Sequence, residues 1–159
     1  MSRVVVNEIQ AKVGNDISFN DAAKIDTLKG KTTAGSITVQ GEGTATTNLQ
    51  QGLCKSWVNL TGNATFDGSD TEIRDSFNVG STIDNGSGNY DATFTNNMSS
   101  ANYSVSGTLA NNIPISSNRD DLHQAVAESS SQINLNNFRD GSGQTDAVHM
   151  YGQVFGDLA

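Results

Sequence analysis

The run Asp75-Ser76-Phe77-Asn78-Val79-Gly80-Ser81-Thr82-Ile83-Asp84-Asn85-Gly86-Ser87-Gly88-Asn89-Tyr90-Asp91-Ala92-Thr93-Phe94, continued by Thr95-Asn96-Asn97-Met98-Ser99-Ser100-Ala101-Asn102-Tyr103-Ser104-Val105-Ser106-Gly107, contains three stretches of period-two alternation. They are Phe77 and Val79; Tyr90, Ala92 and Phe94; and Tyr103 and Val105. Side chains on a strand point to opposite faces in turn, so each stretch reads as a strand with one buried face. Asp84 to Asn89 is built of residues that tolerate positive φ or cap a turn with their own side chains, which predicts a β-hairpin.

The chain around this run has 159 residues, enough for one domain or one domain with an extension. Only 35% of it is hydrophobic, while Gly, Asn, Ser and Thr abound. That composition suits turn-rich β proteins and leaves a thin core. Short strands that cannot close a core alone borrow apolar surface from identical copies, so a symmetric oligomer is expected. A formal charge of -8 with dispersed Lys and Arg argues against nucleic acid. No apolar run is long enough to cross a membrane, and the start Met1-Ser2-Arg3-Val4-Val5-Val6 is interrupted by Asn7 and Glu8, unlike a signal peptide. The reading is a protein made in a cytoplasm without membrane insertion.

Residues 1 to 45 differ from the rest of the chain. Val4, Val6 and Ile9, then Ile17 and Phe19, Ile25 and Leu28, Ile37 and Val39 form small apolar groups separated by Gly-rich polar links. Such groups bury too little by themselves, so the segment reads as an attachment arm or stalk that pairs with partner chains, ahead of a β domain over 46–159. Asn48 caps a single helical turn, and a strand holding Trp57 and Val58 comes next. Glu72 to Val79 reads as one continuous strand. Ile113-Pro114-Ile115 holds the only proline and reads as a loop or edge strand. Asp120 to Glu128 fits either a short helix or a strand. Gln132 to Asn136 and Val148 to Gly156 read as strands joined by a turn at Arg139 to Gly143. The fold class is therefore all-β, a β-sandwich or jelly-roll-like barrel, with core candidates Trp57, Phe77, Val79, Tyr90, Phe94, Tyr103, Val105 and Phe155.

Catalytic motifs are missing: neither Gly-x-Ser-x-Gly nor His-Glu-x-x-His occurs, and Gly30-Lys31-Thr32 has Ile25 where a phosphate loop needs its first glycine. His123 and His149 stand far apart and read as exposed or hydrogen-bonded histidines. The single Cys54 reads as a small packed residue. The acidic turns at Asp84 to Asp91 and Asp140 to Asp146 lack the calcium-loop register. Asp67, Asp70, Glu72 and Asp75 would serve a glycosidase only across a cleft lined with aromatics, and aromatics are 6% of the chain. No catalytic residue, cofactor or metal is expected.

Gln51-Gly52-Leu53-Cys54-Lys55-Ser56-Trp57-Val58-Asn59-Leu60, Ile73 to Val79, Ile83 to Tyr90, Met98 to Tyr103 and Phe155-Gly156 occur in that order, behind the start Val4-Val5-Val6-Asn7-Glu8-Ile9-Gln10. This ordered set resembles tail-fibre-like and appendage proteins of tailed bacteriophages, most of all those of marine and cyanobacterial phages. Leu60 stands where the family has Phe, and Cys54 where a small Ala is common. The resemblance implies a homotrimeric β fibre of the virion, attached to other virion proteins by its N-terminal arm, that meets a host surface glycan or outer-membrane protein and is not an enzyme. A capsid-decorating or neck protein is the alternative, and a glycan depolymerase the second. The polar loops Thr61 to Asp70, Asn111 to Asp121 and Arg139 to Asp146 are the expected contact loops.

Overall fold

The alternating apolar positions become strands wherever the chain is described: the computed structural model describes residues 25–29, 37–40, 44–66, 72–110, 121–139, 141 and 143–159. Among these residues the chain is all-β with one short helix. The strands are β1 (Thr38–Gln40), β2 (Thr46–Asn48), β3 (Cys54–Leu60), β4 (Ile73–Phe77), β5 (Val79–Asp84), β6 (Asn89–Phe94), β7 (Ser104–Ala110), β8 (Asp121–Ser129), β9 (Gln132–Arg139), β10 (Gly143–Gln144) and β11 (His149–Phe155). The helix α1 (Leu49–Gly52) starts at Asn48, whose side-chain oxygen accepts from the Gln51 amide at 3.1 Å, as the sequence predicts.

Among the described residues all strand pairs are antiparallel and form three sheets. β1 and β2 make a small two-stranded sheet with residues on both sides of position 45. The first large sheet has the order β4-β3-β11-β7. The second has β8 on one edge of β9, and β6 followed by β5 on the other. The short β10 continues the lane of β6 beyond its start, since it pairs with Phe138 and Arg139 while β6 reaches only Asn136. One core lies between the large sheets: Val58, Leu60, Met150 and Val154 from the first meet Tyr90, Ala92, Phe94, Ile133 and Leu135 from the second.

Two joints hold these sheets together. The first is Asn78, which splits the predicted strand Glu72 to Val79: its φ of 56° turns the chain out of β4 in the first sheet and into β5 in the second. Asn is among the few non-glycine residues that accept this conformation. Its Nδ2 donates to the carbonyls of Lys55 and Asn96, each at 3.0 Å, and its Oδ1 accepts from the Asn96 amide at 2.7 Å.

The second joint is the β5–β6 hairpin, expected from its turn residues and formed between Asp84 and Asn89. Gly88 has φ +68°, and its amide donates to Asp146 Oδ1 at 2.8 Å. The buried Tyr90 hydroxyl lies 2.6 Å from both Asp146 Oδ1 and the Gly62 carbonyl, so one proton is shared between two acceptors. Burial first, and then the Asp146 bond, push the Tyr90 pKa up. Tyr103 plays a similar part at the other end, with its hydroxyl 2.6 Å from the Gln132 carbonyl and 2.8 Å from that of Ser129. Burial pushes its pKa up to about 12.

Of the expected core, Tyr90 and Phe94 are buried, and Val79, Tyr103 and Val105 pack against the cluster. Phe77 is a correction, with 53% of its surface exposed. It pairs with Trp57, one residue out of phase with the core-facing Val58, so both rings lie on the outer side of the sheet. Trp57 and Phe155 are half-buried and lie outside the core cluster. Val4, Val6, Ile9, Ile17 and Phe19 lie outside the described residues, as does Ile113-Pro114-Ile115. The segment that fitted helix or strand is the strand β8, because alternate residues Ala125 and Ala127 pair with core residues Leu135 and Ile133.

A Cβ at Gly88 would lie 2.6 Å from the carbonyl oxygens of Asn137 and Thr145. Gly88→Ala adds left-handed strain to this overlap and is expected to cost about 3 kcal/mol. Gly86→Ala, where φ is +118° but nothing lies within 4 Å, is expected to cost less, on the order of 1–2 kcal/mol. Urea unfolding of the two variants beside the parent checks this; equal losses would contradict the joint's role.

Candidate functional site

The ordered motifs of the sequence fall on joints of the fold. Asn78 turns the corner, while Gly88 and Tyr90 lock the hairpin. Met98 is buried and bridges Leu158, next to a Ser99 amide that donates to the Asp157 carbonyl at 2.8 Å. These residues are occupied in holding the chain together, so binding groups have to be sought among the side chains that face outward from the sheets.

Of the carboxylates weighed for catalysis, Glu72 and Asp75 are described, and each is held by a different donor. Asp67 and Asp70 lie outside the described residues. Buried Glu72 accepts from the Thr82 hydroxyl at 2.6 Å, and exposed Asp75 accepts from the adjacent Ser76 amide at 2.9 Å. Cys54 is half-buried, and its Sγ donates to the Ser56 carbonyl at 3.1 Å. Among the described residues no group of three His, Cys, Asp or Glu is placed to hold a metal ion. Of the three expected contact loops only the parts outside 67–70, 111–120, 140 and 142 are described.

The two large sheets each present an outer face, and the faces differ in what their polar groups do. On the second sheet the amides bond to one another. Asn134 Nδ2 donates to Asn89 Oδ1 at 2.7 Å and Asp91 Oδ1 at 2.6 Å, while Asn85 Nδ2 and Gln132 Nε2 donate to Asp91 Oδ2 at 2.8 and 3.3 Å. Asn136 donates to Asn134, and Gln144 Nε2 donates to Asn136 Oδ1 at 3.1 Å. Asp91 is thereby buried with its charge spread over amide donors. Exposed Leu122, Val126 and Phe138 flank this network, Leu122 and Phe138 as a cross-strand pair.

The outer face of the first sheet is organised differently. Register places Phe77, Trp57, Gln153 and Ser106 in one row across β4, β3, β11 and β7, with Asp75, Asn59, Tyr151 and Thr108 in the next. The His149 and Tyr151 rings are parallel to within 2°, with centroids 6.3 Å apart. Tyr151, Gln153, Ser106, Gly107 and Thr108 line a shallow depression of about 260 Å3. The side chains of Gln153, Ser106 and Thr108 are exposed and make no hydrogen bond among the described residues. Aromatic surface beside unengaged donors and acceptors makes this the candidate binding face. The sequence signal is present in Phe77, which alternation assigns to the core side, and in Trp57, which reads as core because it is the only tryptophan.

Beneath this face, His123 of β8 points inward against Gly107 of β7. A Cβ on Gly107 would lie 2.4 Å from its Nε2, so only glycine leaves room for the ring. Both ring nitrogens are shielded from solvent and lack a well-formed hydrogen bond, which departs from the exposed or bonded histidine expected. Burial pushes the His123 pKa down, opposed by a weaker backbone interaction at Asn136. A depressed pKa contributes stability above the unfolded value of about 6.5 that is lost as pH falls. Urea midpoints should therefore drop from pH 7 to pH 5 more steeply for the parent than for His123→Gln. Parallel profiles would show that the ring titrates freely in the folded chain.

The chain matches no protein-family model, and comparisons with curated proteins and with solved structures give no match.

Proposed function

We propose that the chain is a structural subunit of a tailed-bacteriophage particle: a homotrimeric fibre or appendage, anchored to other virion proteins by residues 1 to 45. Its β domain, a sandwich of the two large sheets, faces outward to the host surface. The ordered motifs of the sequence support the phage origin. The observation that carries the reading is uncovered apolar surface in two places. Ile25, Leu28 and Val39 of the arm are all more than half exposed, and Leu122, at 66%, stands beside Phe138 and Val126 on the second sheet.

That second face is suited to a neighbouring copy. Its amides already bond to one another, so covering them leaves few polar groups unsatisfied, while the apolar flanks gain from burial. The carboxylate at its centre is already desolvated. The first face, with its unengaged polar groups, then remains outward.

Light scattering on the full chain at micromolar concentration should give the mass of a trimer, and Leu122→Asp should shift the population to monomer with its far-ultraviolet spectrum retained. A folded parent monomer would overturn the trimer. Mass spectrometry of density-banded particles from cells producing the chain should detect it. Its absence from the particles would overturn the virion reading.

A further inference from the structure

We infer that the outer face of the first sheet binds a neutral polysaccharide, with one sugar ring seated against Tyr151 and the chain continuing across Trp57 toward Phe77. This rests on the reading of the β domain as outward-facing, and names what that face holds.

Three observations carry it. The first is the pairing of chemistry with shape. A sugar ring has an apolar C–H face and a rim of hydroxyls, so it needs a flat aromatic surface bordered by groups that both donate and accept. Tyr151 supplies the ring, and the Gln153 amide with the Ser106 and Thr108 hydroxyls supplies the border of the same depression. The second is that these side chains make no hydrogen bond among the described residues, in contrast to the amides of the opposite face. Their donors and acceptors are available without breaking anything.

The third is charge. None of the residues lining the depression carries a formal charge, and neither do Trp57, Asn59 or Phe77 in the adjoining lanes. Lys55, the cation of β3, is buried and donates to the Gln50 carbonyl, and the fourth lane ends in Asp75. Exposed Arg74 of β4 stands at the same edge, but its guanidinium already donates to the Thr61 hydroxyl and the Val148 carbonyl. With a net charge of -8 on the chain, an anionic glycan therefore meets repulsion and finds no unengaged cation among the described residues of this face. Four lanes at about 4.8 Å per strand give a face roughly 14 Å wide, the scale of a short oligosaccharide.

The face is shallow, so one copy binds weakly and a trimer gains by simultaneous attachment to a repeating polymer. A polymer is thus the fitting ligand, in preference to a free sugar.

The test is native affinity electrophoresis of the full chain in gels containing dextran, mannan or galactan, with dextran sulfate and hyaluronan as charged counterparts. At least one neutral polymer should retard the parent, and the charged ones should not. Tyr151→Ala and Trp57→Ala should weaken retardation at least tenfold, and Gln153→Ala several-fold. Ser87→Ala in the exposed β5–β6 turn, away from both sheet faces, should leave it unchanged. Unfolding midpoints identify any variant that is merely unfolded, and exposed Gln153 provides the measurement least subject to that failure. Retardation by none of the three neutral polymers, by charged polymers alone, or equally by Gln153→Ala and parent overturns the inference. A chain found in particles but not retarded removes this inference and leaves the virion reading. A chain absent from particles yet retarded through Tyr151 and Gln153 supports the inference and removes the virion reading.

Discussion

The arrangement of the two large sheets depends on one side chain with both ends of its amide engaged. Asn78 takes the chain from β4 to β5, hence from one sheet to the other, in a backbone conformation that most residues avoid. Its donor reaches Lys55 on one side and Asn96 on the other, and its acceptor takes the Asn96 amide. The corner is therefore bonded to the strand that precedes it in space and to the loop beyond β6. Without that bonding, Phe77 and Val79 would lie on the same side of one strand. With it, Phe77 goes to the solvent and Val79 to the core.

This corner also explains where the sequence was readable and where it was not. Alternation at Tyr90, Ala92 and Phe94 and the turn residues Asp84 to Asn89 predict the hairpin, because strand and turn there obey local rules that tertiary contacts reinforce. The helical turn at Asn48 was legible for the same reason. The break at Asn78 was not, since an asparagine within an alternating run carries no local sign that it will adopt positive φ. Trp57 was misassigned because composition favours burying the only tryptophan, whereas its register with Val58 and Leu60 puts the indole on the opposite side. The binding face was hidden more deeply: Gln153, Ser106 and Thr108 come from two strands far apart in sequence, and only sheet order makes them neighbours.

The two outer faces begin from similar ingredients and end in different chemical states. Both combine polar side chains with exposed apolar ones. On the second sheet Asn and Gln lie close enough to bond one another, and Asp91 is held among their amide donors. On the first, the Ser106 and Thr108 hydroxyls and the Gln153 amide make no such bonds among the described residues, so water or another molecule must complete them. Self-satisfied polar groups suit a dry contact between copies, whereas incomplete ones suit a wet contact with a hydrated polymer.

Side chains that hold nothing in place can be exchanged at little cost. Substitution of exposed residues such as Ser106, Thr108 and Gln153 changes stability by roughly 0.5 kcal/mol or less, while Asn78, Gly88 and Tyr90 tolerate almost nothing. Substitution can therefore rewrite the candidate binding face one residue at a time on an unchanging frame. A lineage under pressure to track a changing target would then diverge in β7 and β11 long before it diverged at the corner or the hairpin.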